Sequence, residues 1–432
     1  MSVRTVTTGR LRLTTRTTRT TSTSIRTTSI RRTTTIATTV NPSVWCVSIA
    51  LILGFCMYQL TREQLLEDLY EAFRDAKRHK SKKVYVQRFE QRLERNLQVL
   101  CDELWTRTYK PHPSTCFIIT DPKKREVFAA DFRDRIVHHL YYNYTHELYE
   151  RTFIQDSYSC IPKRGTHYGI SRLQQHIRQV SYNYSRPCYV LKMDIRGYFM
   201  HIDRARLLEI CLASLRKMAT HRVLKHVPQL WQDRVDMSFV EYLTQEIVLL
   251  DPICACRVIG GQDDWRDLPH DKSLYNSLAG CGLPIGNLTS QLFSNIYLNV
   301  LDQYMKREMH CRHYGRYVDD FYVVSDDKAW LHSLVKPVRL FLSEALHLTL
   351  HEGKVQVYPL QYGVSFLGMY VKPWRITVSR DSIRRMCSKQ LSLFREWRAG
   401  AISLMRVATA NASFRGILSH GYNEQMRYIF SL

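Results

Sequence analysis

Acidic side chains are scarce in this 432-residue chain: 39 Asp and Glu face 62 Lys and Arg, for a formal net charge of +23. That surplus argues against a cationic partner and favours a polyanion. Nucleic acid fits better than a membrane because the basic residues are spread along the sequence. Metal-binding cysteine patterns are also missing. The 12 cysteines include no C-x-x-C pair, and Cys254 and Cys256 are one residue apart, too tight for the usual zinc-ligand spacing. Scattered in this way they read as reduced, partly buried thiols of a cytoplasmic protein. No internal repeat is visible. The longest apolar run, residues 43–60, offers about sixteen mostly apolar positions, short for a membrane span.

The first 43 residues are nearly all Thr, Arg, Ser and Ile, with eight arginines and no acidic residue. Such a segment buries too little apolar surface to offset its ordering entropy. Subtracting its eight arginines from +23 leaves +15, so the basic character belongs to the body. Residues 43–60 follow a basic stretch, as a signal anchor would, but that stretch is too long and repetitive for one. Met57 opens a better-formed segment in which Thr61 can cap a helix, Gln64 can close a capping box, and Leu65, Leu69 and Phe73 recur at helical spacing. The expectation is therefore a true start at Met57, with a membrane anchor and a disordered tail as alternatives. Residues 61–105 read as basic helix, and 115–135 begin as two strands joined at Asp121–Pro122–Lys123–Lys124. Helices follow to about 182, strand and helix alternate to about 370, and 376–420 is again basic helix.

The stretch YGRYVDDFYVVSDD, residues 314–327, puts Asp319 and Asp320 within an aromatic and β-branched run that reads as a hairpin, with both carboxylates at its turn. A lone Asp-Asp is more often a solvated loop than a ligand. A second strand-like run, CYVLKMDIRGYF, ends at Asp194. Side by side, these strands would gather three like charges at one sheet edge, an arrangement that divalent cations resolve. Hard oxygen ligands suit Mg²⁺, and two such ions clamp the attacking and leaving oxygens of a phosphoryl transfer. A third motif, GCGLPIGNLTSQLF, supplies Gly282, Pro284 and Gly286 in a loop that lets backbone approach a ligand. Asn287 is placed to cap the following helix, and the small Thr289 and Ser290 on its first turn would leave room for a base pair.

With D-x-x-x-x-F, L-P-x-G and Y-V-D-D in that order, the chain resembles reverse transcriptases from about residue 110 to 375. The resemblance implies an α+β, right-hand polymerase with an antiparallel-sheet palm, α-rich fingers and a short helical thumb. Fingers would span 57–185, palm 186–370 with an insertion at 203–280, and thumb 371–432. It implies that Asp194, Asp319 and Asp320 are catalytic and hold two Mg²⁺, with Mn²⁺ able to substitute. Lys354 resembles the lysine that protonates the leaving pyrophosphate. Phe199 matches the aromatic residue that excludes a ribose 2′-OH. Arg125, Arg133, Ile285, Gly286 and Gln291 would meet the incoming nucleotide, and Phe366, Leu367 and Gly368 would grip the primer end.

Motif B reads Ile285-Gly286-Asn287-Leu288-Thr289-Ser290-Gln291, which is similar to the reverse transcriptases of diversity-generating retroelements. So are FRDRIVHH at 132–139, DSYSCIPKRGTH at 156–167 and DLPHDKSLYN at 267–276. That resemblance implies error-prone copying of a template RNA into cDNA that replaces a variable repeat in a target gene. Its implied partners are template RNA, a cDNA or primer strand, deoxynucleoside triphosphates and a small basic accessory protein. Membrane association is not expected. Group II intron-like and retron-like enzymes, and a catalytically idle RNA-binding scaffold, are the alternatives. Among lesser candidates, His138 and His139 fall in a helical pattern and are expected to face a core or a phosphate rather than a metal. Lys163, Arg164 and Gly165 form a candidate template loop. Arg384, Arg385, Lys389, Arg395 and Arg398 could track a duplex backbone.

Overall fold

The computed structural model describes residues 58–120, 123–223 and 228–421. The Arg/Thr-rich tail, most of the 43–60 apolar run, Met57 and the Asp121–Pro122 part of the first turn lie outside the described residues. No helix among the described residues is long and apolar enough to cross a membrane.

The described residues open with three helices, α1 (Arg62–Lys77), α2 (Val84–Glu90) and α3 (Leu93–Trp105). Leu65, Leu69 and Phe73 form the buried face of α1, as their spacing predicts. Thr61 Oγ1 accepts from the Gln64 amide at 3.2 Å, but the Gln64 side chain turns to Asp68 at 3.2 Å. The expected capping box is therefore only half made. Strands β1 (Ser114–Ile119) and β2 (Arg125–Ala129) pair antiparallel, Cys116 opposite Phe128. Two long helices follow, α4 (Phe132–Glu150), capped by Asp131, and α5 (Thr166–Val180).

A second sheet holds β3 (Tyr189–Asp194), β5 (Tyr314–Tyr317), β6 (Asp320–Ser325) and β7 (Gln356–Pro359) in the order β5-β6-β3-β7, every pair antiparallel. Helices α6 (Tyr198–His201), α7 (Arg204–Ala219) and α8 (Met237–Val248) succeed β3. Helix α9 (Leu288–Gln303) runs into a π turn, Tyr304–Glu308, and α10 (Lys328–Leu346) joins β6 to β7. Every residue of α9 from Leu292 to Leu298 is buried. A helix buried all round is a central strut, which a four-residue apolar repeat alone understates. A third sheet, β8 (Val364–Phe366), β9 (Met369–Lys372) and β10 (Arg375–Val378), leads to α11 (Arg380–Arg398) and α12 (Leu404–Ser419). The α+β expectation is met.

The long insertion at 203–280 is not a detached lobe. Helices α7 and α8 pack on each other and on α4. Further along, β4 (Cys256–Val258) pairs in parallel with β1, completing a three-stranded sheet in the order β2-β1-β4. Buried Glu126 on β2 then ties down the segment after β4. Its carboxylate accepts from Trp265 Nε1 (2.7 Å), Ser273 Oγ (2.9 Å) and the Leu274 amide (2.7 Å). The turn at His270–Lys272 closes over Gly197, where a Cβ would stand 2.8 Å from the Asp271 carbonyl oxygen. Only glycine fits that spot, at φ +54°.

Candidate active site

Strand β3 leaves the sheet at Asp194, directly opposite Asp320 on β6. Strands β5 and β6 are joined by a two-residue turn, Val318–Asp319, between the paired Tyr317 and Asp320. Asp320 is thus the first strand residue and not part of the turn. Val318 holds φ +55°, a conformation costly for a β-branched side chain. The Ile195 amide donates to the Asp319 carbonyl at 3.3 Å, bringing the Asp194 end of β3 against the turn. The three carboxylates that lie 125 and 126 residues apart in sequence therefore meet at one end of one sheet.

Their electrostatics register the crowding. Burial, then repulsion from Asp194, pushes the Asp319 carboxyl up to about 6, with Asp320 adding to the effect. Burial raises Asp320 as well, against the opposing pull of Lys192. Two lysines answer the excess charge. Lys354 Nζ donates to Asp194 Oδ1 at 2.9 Å, and Lys192 Nζ lies 3.3 Å from Asp320 Oδ2 while donating to the Ser365 carbonyl at 2.8 Å. Lys354 is one of the residues singled out from the sequence. Lys192 is not, although a lysine two positions before Asp194 in an otherwise apolar strand was a visible signal. Among the described residues no set of three or more His, Cys, Asp or Glu side chains forms a ready-made metal site. The donor set itself, carboxylate oxygens that repel one another, is what a hard divalent cation requires.

The residues of the D-x-x-x-x-F motif (motif A, Asp194 to Phe199) and of motif B flank this edge. Phe199, on α6, is partly buried against Tyr198, ring centroids 5.3 Å apart. Its carbonyl accepts from Leu283, so the L-P-x-G loop is stitched to motif A at 2.8 Å. The Ile285 carbonyl accepts from Phe128 at 3.0 Å, and both Ile285 and Phe199 pack on the small cluster of Cys116, Phe128, Met200 and Leu274. Gly286 and Gln291 line a cleft of about 720 Å³ with Lys80, Lys83, Arg135 and His139. Arg125 stands exposed at the start of β2, opposite Ile119.

Four expectations need correction. Arg133 is not free to meet a triphosphate: it pairs with Glu103, lies over the Tyr109 ring at 5.2 Å and reaches His112 at 2.8 Å. It sits on the inner side of the first turn of α4, where Glu103 is the nearest charge. Asn287 holds the cap position of α9 without capping it; its side-chain oxygen accepts from the Ala130 amide at 3.1 Å, tying α9 to β2. Thr289 and Ser290 are buried, and Thr289 hydroxyl meets His138 Nδ1 at 3.1 Å, so neither opens room for a base pair. Phe366 is buried edge-on to Tyr322 at 5.2 Å, which leaves only Leu367 and Gly368 at the hairpin tip. His138 does face the core, where burial pushes it down to about 3.

The hairpin's base is packed without slack. A Cβ on Gly315 would fall 2.3 Å from Tyr158 Oη and 2.7 Å from the Tyr322 ring. Tyr158 and Tyr322 hydroxyls are bonded to each other at 2.8 Å and cannot retreat. Gly315→Ala is expected to cost about 2–3 kcal/mol in a denaturant melt, and a melt matching wild type would show that the tyrosines yield.

The family model described as Reverse transcriptase (RNA-dependent DNA polymerase) matches residues 122–371. Protein YkfC of Escherichia coli (strain K12) is 25% identical over 311 residues, covering 64% of this chain and 71% of YkfC. Among solved structures, apo telomerase from Candida tropicalis matches with a TM-score of 0.42 at 11% identity, over 71% of this chain and 57% of that one. Telomerase from Candida albicans in complex with a TWJ fragment of telomeric RNA matches with a TM-score of 0.38 at 10% identity, over 67% and 51%. The chain thus spans about half the length of the telomerases it matches. With more than half of its residues in that family model, the chain belongs to the reverse transcriptase (RNA-dependent DNA polymerase) family.

Proposed function

We propose that this chain is the error-prone polymerase of a diversity-generating retroelement, copying a template RNA into cDNA at Asp194, Asp319 and Asp320. The observation that carries the subtype is Ile285. Its apolar side chain packs, like that of Phe199, on the cluster of Cys116, Phe128, Met200 and Leu274. An aliphatic group there cannot report a misaligned base through a lost polar contact, so discrimination falls.

In this reading the described architecture divides by role. Helices α1–α5 with β1 and β2 serve as fingers, joined by β4 and residues 262–277 from the insertion. The four-stranded sheet is the palm, and β10 with α11 and α12 the thumb. Asp194, Asp319 and Asp320 would hold two Mg²⁺, for which Mn²⁺ could substitute. When bound, the ions supply stabilisation of negative charge on the attacking and leaving oxygens. Lys354, which donates to Asp194 Oδ1 at 2.9 Å, would give a proton to the departing pyrophosphate. Phe199 bars a 2′-hydroxyl. The cleft between Lys80, Lys83, Arg135 and Gln291 suits the approaching template strand, with cations for phosphate and Tyr85 at hand for a base. The exposed arginines of α11 would follow the duplex backbone, and a small basic accessory protein would complete the particle.

Ile285→Gln tests the subtype. Sequencing cDNA made on an adenine-rich RNA should show misincorporation opposite adenine falling about tenfold, the scale of one restored polar contact. An unchanged error spectrum removes the basis for the subtype. A template-repeat and variable-repeat pair beside the gene would support it independently.

A further inference from the structure

We propose that Arg316 is the positioning residue of the catalytic hairpin, holding Asp319 in place through the carbonyl of Val318. The proposal rests on the reading of Asp319 as catalytic. Arg316 lies on β5, three residues before Asp319, and has no solvent exposure. All three of its guanidinium nitrogens are engaged. Nε and Nη2 donate to the two oxygens of Asp302 at 2.8 and 2.7 Å, and Nη2 also donates to Ser157 Oγ at 3.2 Å. Nη1 donates to Asn295 Oδ1 at 3.4 Å and to the Val318 carbonyl at 3.1 Å.

The backbone of Arg316 is fixed too. Its amide donates to the Asp156 carbonyl at 2.9 Å, and its carbonyl accepts from Tyr158 at 3.0 Å. The segment DSYSC, given no role by its sequence, is thereby the seat of β5. Asp156 is itself buried and held by Arg172 at 2.7 Å and Lys306 at 3.4 Å.

Val318 explains why the turn needs a restraint. A β-branched residue in the left-handed region persists only where its surroundings over-determine it. The Ile195 amide holds the turn from the β3 side, and Arg316 holds it from the α9 side through Asp302 and Asn295. One planar fork thus spans the helix that carries motif B and the turn that carries Asp319. A lysine could keep the charge opposite Asp302, but its single nitrogen cannot span both anchors.

The test is single-turnover primer extension on RNA across a Mg²⁺ titration, using Arg316→Lys and the neutral double variant Arg316→Gln with Asp302→Asn. The double variant leaves no unpaired buried charge, so folding does not decide the result. In both, the rate constant per active site should fall about 10- to 100-fold and the half-saturating Mg²⁺ concentration rise, with RNA affinity unchanged. A merely structural role would lower the burst amplitude and leave that rate constant within about twofold of wild type, overturning the proposal. Asp319→Asn run alongside separates the two failures. If it extends primers normally, the reading of the site falls. If it is inactive while both Arg316 variants match wild type, only the role of Arg316 does.

Discussion

Asp319→Asn is expected to reduce templated primer extension by about 10³-fold, some 4 kcal/mol of barrier, while RNA binding at a fixed salt concentration stays as it was. The same substitution should stabilise the metal-free protein, and the carboxyl's environment sets the sign. Burial and Asp194 raise Asp319 from 3.8 to about 6. The folded state therefore binds the proton more tightly than the unfolded chain, and this group's contribution to stability falls as pH rises from about 4 through 6. Above that window the ionised group opposes folding by roughly 1–3 kcal/mol. Removing the charge should raise the melting temperature at pH 8 and flatten its dependence on pH between about 4 and 6. Magnesium should raise the melting temperature of wild type at pH 8 and do so far less for Asp319→Asn. Full polymerase activity in the variant, or identical melting curves across that pH range, would contradict the clustering of carboxylates at the sheet end.

The second large effect concerns stability. Asp302→Ala should cost about 3–5 kcal/mol and lower the melting temperature by roughly 10 °C. Arg316 and Asp302 are both wholly shielded from solvent, and the pair is bidentate at 2.8 and 2.7 Å. Losing one partner leaves a full charge with nothing but the Asn295, Ser157 and Val318 oxygens around it. Tyr314 loses its acceptor as well, since its hydroxyl donates to Asp302 at 2.7 Å. An exposed pair offers the contrast. Lys110→Ala breaks the contact with Glu246, where the lysine is mostly in water, and the melt should stay where it was. A small effect for Asp302→Ala would mean that water reaches the guanidinium.

Much of this architecture could be read from one-dimensional pattern. The strand-like run YVLKMD and the aromatic and β-branched residues around Asp319 predict strands, and composition separates Asp194 from the mostly apolar residues before it. What could not be read was decided by contacts distant in sequence. Whether Arg133 meets a ligand or Glu103 depends on how α3 and α4 pack, and no local spacing encodes that. Asn287 has the residue type of a cap, yet the Ala130 amide competes successfully for its oxygen. Thr289 and Ser290 suggest an open surface by their size, whereas both are buried in the fold. Arg316 is the sharpest case. In sequence it is one arginine among many in a basic chain, and only the fold shows that it has no access to solvent and a matched acid on a helix fourteen residues back.

The pairing of β4 with β1 has a consequence for how the chain is made. Strand β1 ends at residue 119, but its second neighbour, residues 256–258, emerges from the ribosome only after β3 and the three helices α6, α7 and α8. Until then β1 offers an open edge of unpaired backbone groups, and Glu126 waits for Trp265, Ser273 and Leu274. The amino-terminal portion therefore cannot mature as an independent unit during translation, and a fragment ending near residue 185 would expose that sticky margin to other chains.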